Sequence, residues 1–405
     1  MSDMSEPDRT TQRVCMVAYT LYESDNRVRR YAETLIRAGF EVDVIALSGQ
    51  QQAANEPTVL NGVSIYHMMQ RVRNEKNKWS YLSRLTRFFF VALGKLSMLQ
   101  MQRRYDVIHV HNMPDFLVFT AVVPRLTGSK IILDIHDLTP EMFAEKFSRE
   151  KGGGYITLLE KIERAAAAFS DHVIISNDLW RQKLVARSVK PEKCTAIINY
   201  VDSNVFYPRA RTRDRKKWVL LFPGTLQRHQ GVDIAIRALA KVRTVCPNVE
   251  FHVYGDVAGA HGAELMDLIR DLQLADAVMM NAPVPLDEMP QLIADADIGV
   301  VPKRAETFGN EAFSTKILEF MSQGVPVVVS KTRVDRYYFN EETVRFFASG
   351  DPDALAQEVL EIIQNAELRH RLIENGLRCA IENSWERKKD LYLGIIRSLT
   401  SVRNN

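Results

Sequence analysis

"RVCMVAYTLYESDNRVRRYAETLIRAGFEVDVIAL", residues 13–47, decides the fold. RVCMVAY (13–19) is a short apolar run of strand character. RVRRYAETLIRAGF (27–40) repeats its apolar residues at helical spacing and stops at Gly39, and EVDVIAL (41–47) returns to strand character. The switch of period describes a β-α-β unit, whose strands run parallel. Further strands are expected at DVIHVH (106–111), KIILDIH (130–136) and DHVIIS (171–176), with helical stretches around 83–103, 114–126 and 155–169. Such alternation specifies a parallel sheet covered by helices on both faces.

After a charged run, RARTRDRKK (209–217), the alternation restarts. Strands are expected at 218–224, 249–255, 277–283, 297–302 and 326–330, and helices at 231–244, 262–273, 286–294 and 315–323. The fold class is therefore α/β, with two doubly wound parallel-sheet domains in series. The expected division is a disordered tail 1–12, an N-terminal domain 13–205, a C-terminal domain 206–383, and a last helix 384–405 that packs back toward the N-terminal domain. Two such halves place a ligand cleft between them, at the carboxyl ends of their strands.

Bulk properties agree with this division and exclude other classes. A chain of 405 residues with 46% hydrophobic composition exceeds one ordinary core. Fifty-three Lys and Arg against 50 Asp and Glu leave a net charge of only +3, so no global field marks a nucleic-acid binder. Cys15, Cys194, Cys246 and Cys379 stand singly, which fits a reducing compartment and argues against structural zinc. The polar start MSDMSEPDRTTQ has no signal-peptide core, so a cytoplasmic location is expected, possible at the inner face of a membrane. In WSYLSRLTRFFFVALGKLSMLQMQRRYD (79–106), Arg84, Arg87 and Lys95 interrupt the apolar residues too early for a span. This basic, aromatic helix reads either as a membrane-surface element or as a domain helix with solvated charges.

RAETFGNEAFSTKILEFMSQGVPVVVS (304–330) carries the densest chemistry. Ser314 or Thr315 caps a helix that Gly324 ends. Ile317, Leu318 and Met321 are placed toward the core, and Lys316, Glu319, Phe320 and Gln323 on another face. Glu311 precedes Glu319 by eight residues, and carboxylates suit the vicinal hydroxyls of a ribose or a sugar. In PGTLQRHQGVD (223–233) a strand leads through a loop to a helix near Gly231, whose free N–H groups suit a diphosphate, with Arg228 as a clamp. His109 and His111 alternate on one strand face, but no third metal ligand stands at useful spacing. The pair Asp295 and Asp297 is rejected as a metal site, because it lies at the strand end remote from ligands.

NEAFSTKILEFMSQGVPVVVS resembles the E-x7-E signature of the family-four retaining glycosyltransferases of GT-B fold, with Glu311 and Glu319 as the pair. Glu306 in ETFG mimics the first glutamate but stands too far from Glu319. VRRYAETLIRAGFEVDVI, DVIHVHNMPDFLVF, IILDIHDLTPEMF, LLFPGTLQRHQGVDIAIRALAKV and VPLDEMPQLIADADIGVVP also fall where this family has its recurring blocks, so the resemblance covers most of the chain. It implies two Rossmann-like domains and transfer of a hexose or related sugar from a nucleotide diphosphate sugar, UDP favoured, to a hydroxyl of a glycan or lipid-linked acceptor, in surface polysaccharide or glycolipid assembly. By the same resemblance Glu319 binds the ribose, while Glu311 with the amides of Phe313 and Ser314 holds the sugar. His136 sits beside that sugar, and Arg228 stabilises the leaving diphosphate. Gly224, Gln230, Gly231, Thr315, Lys316 and Lys303 complete the expected donor set. A leaving phosphate oxygen takes the acceptor proton, so no dedicated base and no metal or cofactor is expected.

Two departures from the family pattern stand out. Gln230 occupies the place of a usual lysine, and the usual Gly-Gly loop after the first strand is absent. Asn26 and Arg27 stand there instead, Arg27 reading either as a phosphate or acceptor contact or as a helix-start residue. His111, Asp137 and Glu141 are the remaining acceptor-side or cleft candidates. The alternative readings are a sugar-nucleotide epimerase of the same architecture and a non-catalytic scaffold subunit.

Overall fold

The computed structural model describes residues 11–49, 56–71, 78–146, 153–213, 216–306 and 308–401. Most of the expected N-terminal tail lies outside the described residues. The chain divides into two compact units, one of residues 1–198 together with 389–405, the other of residues 199–388.

The first unit is built on eight strands: β1 (Arg13–Leu21), β2 (Glu41–Ser48), β3 (Thr58–Leu60), β4 (Val63–Gln70), β5 (Val107–His111), β6 (Lys130–Ile135), β7 (His172–Ile175) and β8 (Cys194–Ala196). Their order is β3-β4-β2-β1-β5-β6-β7-β8, parallel except for the β3–β4 hairpin. Strands β3 and β4 were not legible in the alternation, because a hairpin with a tight turn through Asn61 and Gly62 interrupts the helix-strand rhythm. The β-α-β unit at 13–47 forms as read: the helix Asn26–Arg37 follows β1, capped by Asp25, whose carboxylate accepts from the amides of Arg27 and Val28. The stretch expected as a helix at 114–126 is a 3-10 turn, Asp115–Ala121, leading into the short helix Val122–Leu126.

The second unit has strands β9 (Trp218–Pro223), β10 (Val249–Tyr254), β11 (Val278–Asn281), β12 (Ile298–Val301), β13 (Val327–Ser330) and β14 (Arg345–Phe347), in the order β11-β10-β9-β12-β13-β14, all parallel. Phe222, Phe251 and Val300 pack with Leu239 and Ile362 of covering helices in a continuous core. The charged run 209–217 belongs to this unit. Asp297 binds Arg211 and Arg213 and accepts from the Val219 amide, while Asp295 accepts from Thr212. The DAD motif thus fastens the segment that leads into β9.

Each sheet has a point where strand order reverses, between β1 and β5 in the first unit and between β9 and β12 in the second. Loops leaving such strands diverge and open a crevice at the carboxyl end of the sheet. The helix Trp385–Ser401 belongs to the first unit from Lys389 onward, and it buries Tyr392, Leu393 and Ile396 there. Among the described residues no helix is long and apolar enough to cross a membrane.

Candidate active site

In the second unit, the loop leaving β9 runs from Gly224 through a 3-10 turn, Arg228–Gln230, to Gly231, the N-cap of the helix Val232–Val245. Gly231 has φ +70°, and a Cβ there would lie 1.9 Å from the Pro302 carbonyl oxygen, so only glycine fits where this loop crosses the loop leaving β12. The helix start carries no side-chain cap. Its first-turn amides and dipole therefore face outward as an electropositive pole. Arg304 pins the crossing: its amide donates to the His229 carbonyl, its guanidinium to the Arg228 carbonyl and to Asp233.

The loop leaving β12 ends at the helix Thr315–Ser322, whose N-cap Ser314 makes no side-chain capping bond. Gly324 follows the helix at φ +71°, the expected left-handed stop. Glu319 stays partly buried, and burial pushes its carboxyl above the usual range, offset in part by a bond from Thr315 and by the Lys316 charge. Phe320 does not share the polar face as expected; it is fully buried, because the sheet side of this short helix is wide enough to take it with Ile317, Leu318 and Met321. Glu311 lies in the loop with one oxygen 3.1 Å from Arg333, and Phe313 packs edge-on against Tyr338.

The expected cations of the donor site separate into different roles. Lys303 is buried and committed to the Asp335 carboxylate at 2.9 Å and to the Ala312 carbonyl at 2.8 Å, so it braces the loop rather than facing a ligand. Arg228 has a side chain 71% exposed and pairs with Glu264 at 2.5 Å. An exposed pair of this kind is weak, and the guanidinium can leave it for a phosphate. Lys316 crosses to the other loop, where its amine donates to Gln230 Oε1 at 3.0 Å.

The first unit holds a network that the spacing of residues did not reveal. Asp134 on β6 is fully buried, and Arg27 grips it with two hydrogen bonds, Nη2 to Oδ1 at 2.5 Å and Nε to Oδ2 at 3.2 Å. Arg27 is thus a buried helix-start residue and not an exposed phosphate or acceptor contact; Asn26, beside it, is exposed. The rings of His109 and His111 stack 4.2 Å apart. His111, expected to line the cleft, is as buried as its neighbour. His111 Nδ1 lies 3.2 Å from Asp134 Oδ2, and His136 Nε2 lies 3.2 Å from His111 Nδ1 and 3.4 Å from Asp134. Tyr392, from the last helix, meets His109 Nδ1 at 3.0 Å.

Electrostatics orders this cluster. Burial alone would raise the Asp134 carboxyl, but the Arg27 guanidinium and then the three histidines hold it well below the usual carboxylate range. Burial pushes His109 down, and His111 to about 3, with the neighbouring His109 adding to the effect. Both are neutral at pH 7. His136 alone reaches the surface, with a side chain 23% exposed. The His111 Nδ1 and the ionised Asp134 beside His136 Nε2 favour the proton on that His136 nitrogen. Asn112 fixes the backbone here: its amide oxygen accepts from the His136 N–H at 2.7 Å and its nitrogen donates to the Asp137 carbonyl at 3.0 Å. Burial raises the Asp137 carboxyl. Glu141 departs from the acceptor role, because Arg187 binds both its oxygens, at 2.7 and 3.0 Å, and bridges it to buried Glu163.

His109, His111 and Asp134 bring ligand atoms within 4.8 Å of one another, the third ligand that the sequence did not show. The Arg27 guanidinium bonds to both Asp134 oxygens, so the protein itself places a positive charge beside this carboxylate. An acid inside the apolar run KIILDIH was the one available signal for this network.

These two doubly wound units share their fold with known GT-B enzymes. The chain superposes on sucrose-phosphate synthase from Thermosynechococcus elongatus with a TM-score of 0.76 at 18% identity, covering 96% of this chain and 100% of that one. It superposes on Anabaena HepE in complex with UDP-glucose with a TM-score of 0.69 at 16% identity, covering 95% and 99%. Family models for "Glycosyl transferases group 1" and "Glycosyl transferase 4-like domain" match residues 206–378 and 24–199. The chain belongs to the group 1 glycosyltransferases and is an enzyme of that class. It is also similar to a D-inositol 3-phosphate glycosyltransferase of Catenulispora acidiphila, 25% identical over 391 residues that cover 91% of this chain and 88% of the relative.

Proposed function

We propose that this enzyme transfers a sugar, with retention, from a UDP-sugar to a hydroxyl acceptor in the assembly of a surface polysaccharide or glycolipid. The observation that carries the donor side is the convergence at the β9–β12 switch point of two uncapped helix starts, the Lys316 amine and the partly buried Glu319. Amide dipoles and a cation suit a diphosphate, and a carboxylate suits ribose hydroxyls. The complex of the HepE neighbour with UDP-glucose supports the choice of nucleotide. Glu311 then orients the transferred sugar. His136, its Nε2 proton held by Asp134, offers Nδ1 as a hydrogen-bonding atom of fixed orientation. Stabilisation of the departing diphosphate falls to Arg228 and the helix start at Gly231. No metal ion takes part, since Arg27 neutralises Asp134 and Arg211 and Arg213 occupy Asp297.

Membrane contact is part of this reading. Along the helix Lys78–Arg103, Leu82, Phe90, Val91, Met98 and Met101 are exposed beside Arg87. Lys95 instead lies over the Tyr66 ring and Arg103 binds Asp43, so the basic character of this face is smaller than the sequence suggests. An apolar stripe with an adjacent arginine fits an anionic lipid surface.

The test is incubation of the full chain with UDP-, GDP- and ADP-sugars and a panel of acceptors that includes polyprenyl-linked glycans and inositol 3-phosphate. NMR of the product anomer and an EDTA control accompany it. Release of UDP with an α-linked product from an α-linked donor, unchanged by EDTA, is expected. Conversion of the donor to an epimer without release of nucleotide would overturn the transferase mechanism in favour of the epimerase.

A further inference from the structure

The geometry points to Lys316 as the cation that binds the diphosphate of the nucleotide donor, reaching the anion from the helix Thr315–Ser322 past Gly224 and Gln230. The inference rests on the donor reading above and assigns the direct phosphate contact within that site to this one side chain. Lys316 is partly buried, and among the described residues no carboxylate stands in salt-bridge contact with its amine. Its contacts are the Gln230 amide oxygen at 3.0 Å and the face of Phe222 with the ring centre 4.8 Å away. Glu319, one turn along the helix, acts on it through space, and its own side chain bonds to Thr315. A desolvated ammonium satisfied by one neutral acceptor and an aromatic face leaves donors and charge for an anion.

The backbone is shaped around this side chain. Gly224 has φ +139°, and a Cβ built there would lie 2.7 Å from Lys316 Cε and 2.9 Å from Nζ. The lysine stem therefore passes through the space that any other residue at 224 would occupy. Its amine arrives beside Gln230, the residue before Gly231 and the uncapped helix start. The three features most suited to a phosphate group, a cation, the start of a helix without a side-chain cap and a glycine-lined approach, meet there. Of the other nearby cations, Lys303 is held by Asp335 and Arg304 by Asp233, while Arg228 is exposed and pairs with Glu264, free to join the diphosphate only by leaving that pair.

Calorimetric titration of the full chain with UDP and, separately, uridine tests the assignment. The variants are Lys316→Met, Lys316→Gln as a second removal should the first not fold, and the double variant Lys316→Met with Gln230→Lys. Loss of a charge-assisted bond weakens UDP binding by about 10- to 100-fold while uridine binding stays within about threefold. Lysine at 230 puts an amine at the spot where Lys316 now ends, so the double variant is expected to recover most of the lost affinity. UDP affinity unchanged by removal of Lys316, or an equal loss for uridine, overturns the inference. A double variant no better than the single one overturns the claim that the two positions serve one phosphate. Wild-type protein that binds neither UDP nor any other nucleoside diphosphate refutes the donor reading itself, and the inference falls with it.

Discussion

Replacing Asp134 by asparagine is the sharpest perturbation of the first unit. The carboxylate is fully buried and receives two bonds from Arg27, itself 5% exposed. Removing one partner of a buried pair leaves the other charge uncompensated and costs about 3–5 kcal/mol. For a folded unit of about 200 residues each kcal/mol corresponds to roughly 2–4 °C in melting temperature, so Asp134→Asn should lower that unit's transition by about 6–20 °C. Differential scanning calorimetry is the assay, because two units can unfold in separate transitions and only one should move. The pH dependence follows from the sign of the shift. The folded carboxyl lies below its unfolded value of about 4, so its stabilisation is complete above that value and is lost as pH falls through the folded one. The gap between wild type and variant should hold from about pH 5 to 8, begin to narrow near pH 4 as the unfolded carboxyl takes up its proton, and close only below the lower range of the folded carboxyl. The double change Arg27→Met with Asp134→Leu, which removes both charges, should recover much of the loss. A single-variant shift under about 2 °C, or a double variant worse than the sum of its parts, would refute a buried, mutually dependent pair.

Three further outcomes bear on the second unit. Glu311→Ala should leave the Kd for UDP within about threefold and reduce kcat by about 100-fold or more, whereas Glu319→Ala should weaken UDP binding about 10- to 100-fold, separable by calorimetry and product assay. Gly231→Ala should destabilise this unit by more than about 2 kcal/mol in urea unfolding, since a left-handed φ of +70° costs a side chain about 1–2 kcal/mol before the contact with Pro302 is counted. Burial lowers the Lys316 amine to about 8, with Glu319 and Asp335 opposing and Lys303 adding to the fall. UDP affinity should therefore decline above pH 8 in wild type and lose that dependence in Lys316→Gln. Stability from this group moves the other way, rising from pH 8 toward 10.5, because the unfolded chain then holds a proton the folded one has released. Urea unfolding at pH 8 and 10 measures it.

Local periodicity was enough to place β1, its helix and β2, the restart at β9, and the helix-strand unit after Glu311, because each is set by residues within one or two turns of one another. The same short-range signals placed the glycine-led helix at 231 and put Glu319 on a helix that begins at Thr315. Short β3 and β14 left no such signal, since three-residue strands carry no period and are held by their neighbours, and the longer β4 was hidden because its hairpin with β3 interrupts the helix-strand rhythm.

What the tertiary structure alone decided is which charged side chains are spent on the fold and which remain for a ligand. Arg27 finds Asp134 across 107 residues, and Tyr392 finds His109 across 283. Arg187 takes Glu141 and Asp335 takes Lys303, while Lys316 reaches Gln230 without a carboxylate of its own. A charged residue in a sequence carries no record of its partner, because the cost of burying it is met by whichever opposite charge the sheet order brings beside it. Residue spacing and the family resemblance therefore singled out the two loops of the proposed donor site, and only the folded strands determined that Lys303 is held by Asp335 while the Lys316 amine meets the neutral Gln230 side chain.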